Sequence, residues 1–403
     1  MKPWLLLLLL ALTELTSAQK FSILGKVVDG DNRSLSYATV TISKKFLRTT
    51  TNDQGEFAFQ IPVESRNDIL SVTMIGFQPF EAPIWSLFQS SGKMAIIKMQ
   101  PVSLLLDEVV VLDKIKPGEI LKISISRIDQ NFPTEPFLME GFYRDLKKLG
   151  GTYVSLLEAA VKIQDEDYFA PRDKRKLRER VALQEVRSSL GYSNKFIDFF
   201  EKDNLLENLL LNNMIRYRLF PSEDNFFNEV KLEGETTYKN RKAIVLKYQK
   251  EFEMRAFIDK LNFGILYIEY TDSRPAEIEK IRGVEGKQVK VKRIIDFSYL
   301  EKKLHLNYFK IISQVNWYDI ESGKLKFETE LERELLIYKI DLNSKKRITL
   351  EEKMKSYGLQ YQDQSYNQKF WSNFNAIKAS PLDKKAIADL EREQPLEKQF
   401  QMD

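Results

Sequence analysis

From Lys287 to Tyr299 the side chains alternate: Val289, Val291, Arg293 and Ile295 share one face, and Lys290, Lys292, Ile294 and Asp296 share the other. A repeat of two is that of an extended strand, whose successive side chains point to opposite sides. Phe57, Phe59 and Ile61 keep the same rhythm opposite Glu56, Ala58 and Gln60. A chain patterned this way must build antiparallel sheets with one buried and one wet face. Aromatic residues at 12% favour strands, and 403 residues imply two or three domains.

Short strands punctuated by turns come first. Phe21 to Val28, Ala38 to Ser43, Glu56 to Ile61, Ile69 to Met74 and Met94 to Met99 are strand-like. Asp29-Gly30-Asp31-Asn32 and Thr51-Asn52-Asp53-Gln54-Gly55 supply turn chemistry. Such regular spacing suggests a β-sandwich over 19–101. The aspartates at 29 and 31 could also begin a calcium loop, but the later ligands and terminal glutamate of an EF-hand are missing.

These residues carry a family resemblance. Gly25-Lys26-Val27-Val28-Asp29, Tyr37-Ala38-Thr39-Val40-Thr41-Ile42 and Thr51-Asn52-Asp53-Gln54-Gly55-Glu56-Phe57 resemble the carboxypeptidase-regulatory-like domain, as do Met74-Ile75-Gly76-Phe77 and Leu106-Asp107-Glu108-Val109-Val110-Val111. The resemblance implies a transthyretin-like, seven-stranded sandwich of the kind exported by Gram-negative bacteria, and it implies no peptidase activity. In related receptors the segment matching Asp107, Glu108, Val109, Val110 and Val111 lies near a strand captured by edge pairing. Here it is a candidate interaction segment or simply the closing strand of the sandwich.

A linker over 102–136 contains a short helix, Pro117 to Gln130, with Ile120, Leu121, Ile123 and Ile128 on its apolar face; Pro133 and Pro136 end it. Longer strands then dominate 137–345. Phe137 to Leu146 and Thr152 to Gln164 form a hairpin, and a strand is expected over Phe226 to Tyr238. A helix is expected over 194–214, where Phe196, Phe199, Phe200, Leu206, Leu209 and Leu210 make an apolar stripe. The run Ile258-Asp259-Lys260-Leu261-Asn262-Phe263-Gly264-Ile265-Leu266 is similar to the half-barrel of outer-membrane lipoprotein-sorting carriers. That similarity implies a curved sheet with an apolar concave face, which Phe137, Phe142, Phe226, Phe227, Phe257 and Phe263 would line or simply pack. Residues 346–403 read as a helical tail in which Phe370, Trp371 and Phe374 are anchors. The fold class is therefore mainly β with helices: a small sandwich, then a larger curved antiparallel sheet packed with helices.

Residues 1–18 have the three parts of a secretory signal peptide: Lys2, the apolar run Leu5 to Leu12, and small residues Thr16 and Ala18 before Gln19. The run is too short to span a bilayer, and no later stretch suffices. The chain has no cysteine, which removes disulfides, the bacterial lipid-attachment thiol and thiol catalysis. Lysine and arginine number 62 against 58 acids, so no global charge excess points to nucleic acid. The densest basic stretch holds Arg172, Lys174, Arg175, Lys176, Arg178 and Arg180, either a solvated loop or a surface for anionic head groups.

Catalysis finds little to work with. His305 is the one histidine, so a zinc peptidase centre cannot be assembled; a Ser-His-acid triad would have to use it, and the sequence has no Gly-x-Ser-x-Gly elbow. Gly283-Val284-Glu285-Gly286-Lys287 has turn spacing, not that of a phosphate loop. The sequence thus selects no catalytic residue, metal ligand or cofactor. It points to a non-catalytic envelope protein, periplasmic or peripheral to the outer membrane, engaging a protein, glycan or lipid. A lipid or lipoprotein carrier, or a glycan hydrolase using two carboxylates, are the competing expectations.

Overall fold

A computed structural model describes residues 20–42, 47–52, 54–87, 94–102, 115–193, 195–200, 204–239, 241–342, 344, 347–355, 358–362, 366–374, 382 and 384–401. The signal-peptide segment and the stretch Asp107 to Val111 lie outside the described residues.

Seven short strands build the first unit: β1 (Lys20–Val28), β2 (Thr39–Ile42), β3 (Arg48–Thr50), β4 (Glu56–Pro62), β5 (Ile69–Thr73), β6 (Phe80–Pro83) and β7 (Ala95–Lys98). They form two sheets, ordered β4-β1-β7 and β3-β2-β5-β6. Between them lies an apolar core that includes Ile23, Val27, Val40, Ile42, Phe57, Leu70 and Val72. The Asp29 loop is a turn tied by its own first residue: Asp29 Oδ1 accepts from the backbone N–H of Asp31 and Arg33, each at 2.9 Å. Gly55 closes the next turn at φ +72°, where an added Cβ would stand 2.5 Å from the Val27 carbonyl oxygen.

Two helices follow, α1 (Pro117–Ser126) and α2 (Ile128–Asn131), then β8 (Phe137–Leu149), β9 (Thr152–Asp165) and β10 (Arg180–Ser188). After α3 (Leu205–Leu211) and α4 (Asp224–Asn228) the chain runs through β11 (Lys231–Tyr238), β12 (Arg241–Gln249), β13 (Glu253–Asp259), β14 (Ile265–Asp272) and β15 (Ala276–Ile281). Three strands of 17 residues complete the sheet: β16 (Val284–Leu300), β17 (Lys303–Asp319) and β18 (Leu325–Asp341). The eleven strands form one curved, unclosed antiparallel sheet ordered β10-β9-β8-β18-β17-β16-β14-β13-β12-β11, with β15 pairing on β16. The expectation of a mainly β chain, with a small sandwich before a larger curved sheet, therefore holds. Arg282 and Gly283, at φ +50° and +78°, make the two-residue turn between β15 and β16; of the run Gly283 to Lys287 read as a turn only Gly283 belongs to it, and Val284 onward is strand.

Helices α1 to α4 cover one face of this sheet. Ile120, Leu121, Ile128, Leu205, Leu206, Leu209 and Leu210 merge with Leu157, Val161, Ile295, Phe309 and Leu335 in one core. Two local expectations need correction here. The helix over 194–214 is broken: a 3-10 turn occupies Lys195–Phe199, and α3 begins anew after Asn204. The reason is a cap within the stripe, since the Asn204 side chain accepts from the backbone N–H of Glu207 at 3.2 Å. The strand expected from Phe226 begins only at Lys231, because Phe226 and Phe227 belong to α4. There Phe226 packs against Tyr248 and Phe252, and α4 lies so close to α1 that a Cβ on Gly118 would meet the Phe227 carbonyl at 2.0 Å.

Over much of the sheet the second face is not wet either, which corrects the simplest reading of the alternation there; over β11 to β14 it carries the part-exposed ions Glu233, Arg255 and Glu269. Over β8 and β9 it is covered by α5 (Gln368–Asn373), α6 (Lys384–Leu390) and α7 (Leu396–Gln399). Trp371 and Phe374 pack on Phe142 and Ala160, while Ala386, Leu390, Leu396 and Phe400 pack on Tyr153 and Leu156. Polar side chains between these patches are buried and paired. Glu158 takes Arg144 at 2.6 Å and Arg187 at 2.5 Å, and Lys310 meets Glu332 at 2.9 Å. Over β16 and β17 the cover is the sandwich itself.

Candidate functional site: a cleft between sandwich and sheet

Strand alternation gives β2, β3 and β5 one apolar and one polar face. Val40, Leu70 and Val72 enter the sandwich core, leaving Thr39, Thr41, Ser71 and Thr73 on the other side with Arg48. That hydroxyl face is turned toward β16 and β17. Tyr37 stacks on Tyr308 with ring centres 5.9 Å apart, and its hydroxyl accepts from Lys310 Nζ at 2.7 Å. Arg48 Nη1 donates to Asn307 Oδ1 at 2.6 Å, the central tie between the two units.

Around this tie the second unit contributes a dense polar cluster. Asn307 is the extra residue of a bulge between β16 and β17, so its side chain leaves the regular ladder. Its amide Nδ2 donates to Asp296, which also accepts from the Tyr238 hydroxyl and from Lys239 Nζ at 2.7 Å. Lys239 is fully spent, since it also donates to the Phe297 carbonyl at 3.0 Å and Ser298 Oγ at 2.6 Å. Burial brings Lys239 down to about 8, against the pull of Asp296 and with help from Arg48. Burial likewise lowers Arg48 to about 10, again opposed by Asp296.

Between the two walls lies a cavity of about 480 Å³ lined on the sandwich side by Thr39, Thr41, Arg48, Ser71, Thr73 and Glu81, with Ile42 among them. The sheet side supplies Lys239, Arg241, Leu266, Phe297, Ser298 and Tyr299. Arg48 is only 6% exposed, yet Asn307 is its one hydrogen-bond acceptor among the described residues. Arg241 donates through Nε to Asp259 and stacks over Tyr299, 4.3 Å from the ring centre. Tyr299 in turn donates to Asp259 at 2.9 Å, fixing that wall. Such a cleft can grip a group that accepts hydrogen bonds and carries negative charge.

Sequence reasoning passed over this cluster. A signal was present in Arg48-Thr49-Thr50-Thr51, a strand and its next residue without an apolar side chain; all four are at least 94% buried. A strand of that composition is buried only if something polar covers it.

Residues singled out from sequence fall elsewhere. Arg172, Lys174, Arg175 and Lys176 are exposed on the loop before β10. Lys174 donates to the Arg218 carbonyl at 2.7 Å, Arg178 pairs with Asp167 at 2.9 Å, and Arg180 donates to the Ile348 carbonyl at 2.9 Å. None of the six lines the cleft. His305 is buried with its ring edge-on to Phe137 at 4.9 Å; burial, Arg48 and Lys303 lower it to about 3, so it is neutral. Of the six phenylalanines, Phe142 lies on the second face, and the other five belong to or pack against the helix-covered core. Two buried acids, Asp165 and Glu179, lie near each other, but Asp165 is held by Arg216 at 2.8 Å and Glu179 by the Tyr217 hydroxyl at 2.5 Å.

Comparison with known proteins agrees with the sandwich. Residues 23–111 match the family described as the CarboxypepD_reg-like domain. No curated protein matches the chain. Among solved structures, a LolA superfamily protein from Nitrosomonas europaea aligns at 10% identity over 56% of this chain and 94% of its own, with a TM-score of 0.19. The MucA/MucB complex of Pseudomonas aeruginosa aligns at 10% identity over 55% and 93%, with a TM-score of 0.18. A protein of unknown function from Bacteroides fragilis aligns at 10% identity over 80% and 98%, with a TM-score of 0.16. Scores this low leave the second unit to be argued from its own residues. No helix among the described residues is long and apolar enough to cross a membrane.

Proposed function

We propose that this chain is a non-catalytic binding protein of the bacterial cell envelope, in which sandwich and sheet together form the ligand-engaging cleft. The observation that supports it most is Arg48, a buried guanidinium reaching across the interface while most of its donors stay unused. Asp296 offsets its charge without bonding to it, and a merely structural interface would bond the remaining donors, because leaving buried polar groups unbonded is costly. The leader-like first 18 residues support export, and the regulatory-like domain supports an accessory interaction role without peptidase chemistry. Periplasmic residence, or peripheral attachment to the outer membrane through folded surfaces, follows from this reading, with a protein, glycan or lipid as partner. Asp107 to Val111 and the exposed basic loop at 172–176 are secondary contact candidates.

Carriage of a lipid or lipoprotein is the second reading. In its favour is an apolar pocket of about 380 Å³ lined by Met214, Leu219, Phe220, Pro221, Phe252 and Tyr270, with Arg293 at its wall. Against it, α1 to α4 cover the apolar face that a carrier would leave open.

Affinity capture from envelope extracts separates the two, using the full chain and a Thr41→Trp variant that fills the cleft. Recovery of a protein or glycan that Thr41→Trp loses is the expected result. Near-stoichiometric phospholipid, unaffected by the substitution and without protein or glycan, would overturn the proposal.

A further inference from the structure

We infer that the cleft takes an anionic saccharide, its acid group on Arg48 and Arg241 and its hydroxyls against the threonine and serine rows. The inference rests on the cleft being the binding site and adds the chemistry of what enters it. Charge sets one end of the ligand. Arg48 and Lys239 share a single carboxylate, Asp296, and Lys239 has no donor left. Arg48 has one acceptor, an uncharged amide oxygen, so its remaining N–H groups can close on an oxyanion in the planar, two-pronged manner guanidinium favours. Arg241, on the sheet side of the same cavity, adds a second guanidinium of which only Nε is committed, to Asp259.

Hydroxyls set the rest. Thr39 and Thr73 are cross-strand partners, as are Thr41 and Ser71, so two adjacent rungs of the sandwich line the cavity with hydroxyls, of which that of Thr39 already accepts from Asn307 Nδ2 at 3.5 Å. Hydroxyls both donate and accept, which suits the mixed demands of a sugar ring better than those of an apolar tail. Tyr299 and Phe297 add ring surface on the opposite wall. Glu81 is on β6, three strands from β3 in the sheet order, about 14 Å from the Arg48 strand at ordinary strand spacing. That polarity directs the acid toward Arg48 and leaves the Glu81 end to hydroxyls. At about 480 Å³ the cavity is of small-molecule size, far more than a bare oxyanion needs.

Calorimetric titration of the full chain with glucose 6-phosphate, glucuronate, glucose and inorganic phosphate tests this. The expected result is binding of one or both acid sugars at least ~10-fold tighter than glucose or phosphate, weakening as salt rises. Arg48→Gln should weaken the acid sugars by ~10-fold or more, the range of a charge-assisted hydrogen bond, and Arg241→Gln by less. If Arg48→Gln disturbs folding, Arg241→Gln and Thr41→Val carry the test, since both sit at the cleft wall. Equal binding of glucose and glucose 6-phosphate, phosphate binding as tight as either acid sugar, no acid-sugar binding, or wild-type affinity in all the variants would each overturn the inference. Should the sugars fail while Thr41→Trp still abolishes envelope capture, the ligand class falls and the cleft reading stands; if both fail, both fall.

Discussion

The sandwich and the large sheet alternate at the same period, yet they dispose of their polar sides differently. In the sandwich, the core is wholly apolar, and charges such as Arg33, paired with Asp29 and Asp31 at 2.7 Å, sit at an exposed turn. In the large sheet, the second face is also covered where the tail helices and the sandwich lie on it, so Arg144, Glu158 and Arg187, and likewise Lys310 and Glu332, are taken out of water as ion pairs. Burial pushes Glu158 up, and Arg187 and Arg144 together overrule it and hold it below the usual carboxylate range. Arg48 at the interface apart, the small domain leaves such charges to solvent. A sheet enclosed on two sides must match each charge it keeps.

Breaking that match should have the largest effect. Glu158→Ala takes from Arg187 its carboxylate and leaves Arg144 only Glu334, and should cost about 3–5 kcal/mol in chemical denaturation; a loss below 1 kcal/mol would mean these ions are hydrated. Within the sandwich, Leu70→Ala leaves only a cavity in an apolar core and should cost about 2–5 kcal/mol, with no dependence on salt. Two pH profiles sharpen the contrast further. Burial and Asp165 raise Glu179 to about 7 against the pull of Arg216 and the Tyr217 hydroxyl, so its native form holds a proton that the unfolded chain has lost. Stability from this group is full below the ordinary carboxylate range and is lost as pH rises toward 7; Glu179→Gln should therefore stabilise the protein at pH 8 and change little at pH 4. His305 runs the opposite way: lowered to about 3, it favours the fold above its ordinary range and withdraws that support as pH falls. His305→Phe should accordingly move the acid-unfolding midpoint to lower pH. Smallest of all, Asp31→Ala at the exposed turn should shift stability by about 1 kcal/mol or less.

The same contrast explains what could be read from the chain. Strand positions were legible because Val40, Phe57 and Ile295 repeat at period two, and turns because Asp29 and Gly55 have local reasons to be where they are. Asn204 was readable only as a residue within a helical stripe, since a cap and a helix-interior asparagine look alike until the break is seen. Phe226 and Phe227 misled in the same way, because aromatic pairs suit strands and single helical turns equally. Least legible was the fate of the polar face. Lys310 and Glu332 alternate as a wet face would, and nothing local distinguishes solvent from a sandwich laid over them. Arg48 and Asn307 escaped notice for that reason: their meaning arises only when positions 259 residues apart come together.

The place of β18 has a consequence in time. It is the last strand among the described residues to leave the ribosome, yet it lies in the middle of the sheet, pairing β8 from Thr329↔Leu149 to Asp341↔Leu138 and β17 on its other side. Until it is made, the β8–β10 ribbon and the β11–β17 meander are two separate sheets, each presenting an open edge to any other strand nearby. The nascent chain must therefore be kept from pairing wrongly until some 340 residues exist, and the final strand acts as the keystone that turns two partial sheets into one.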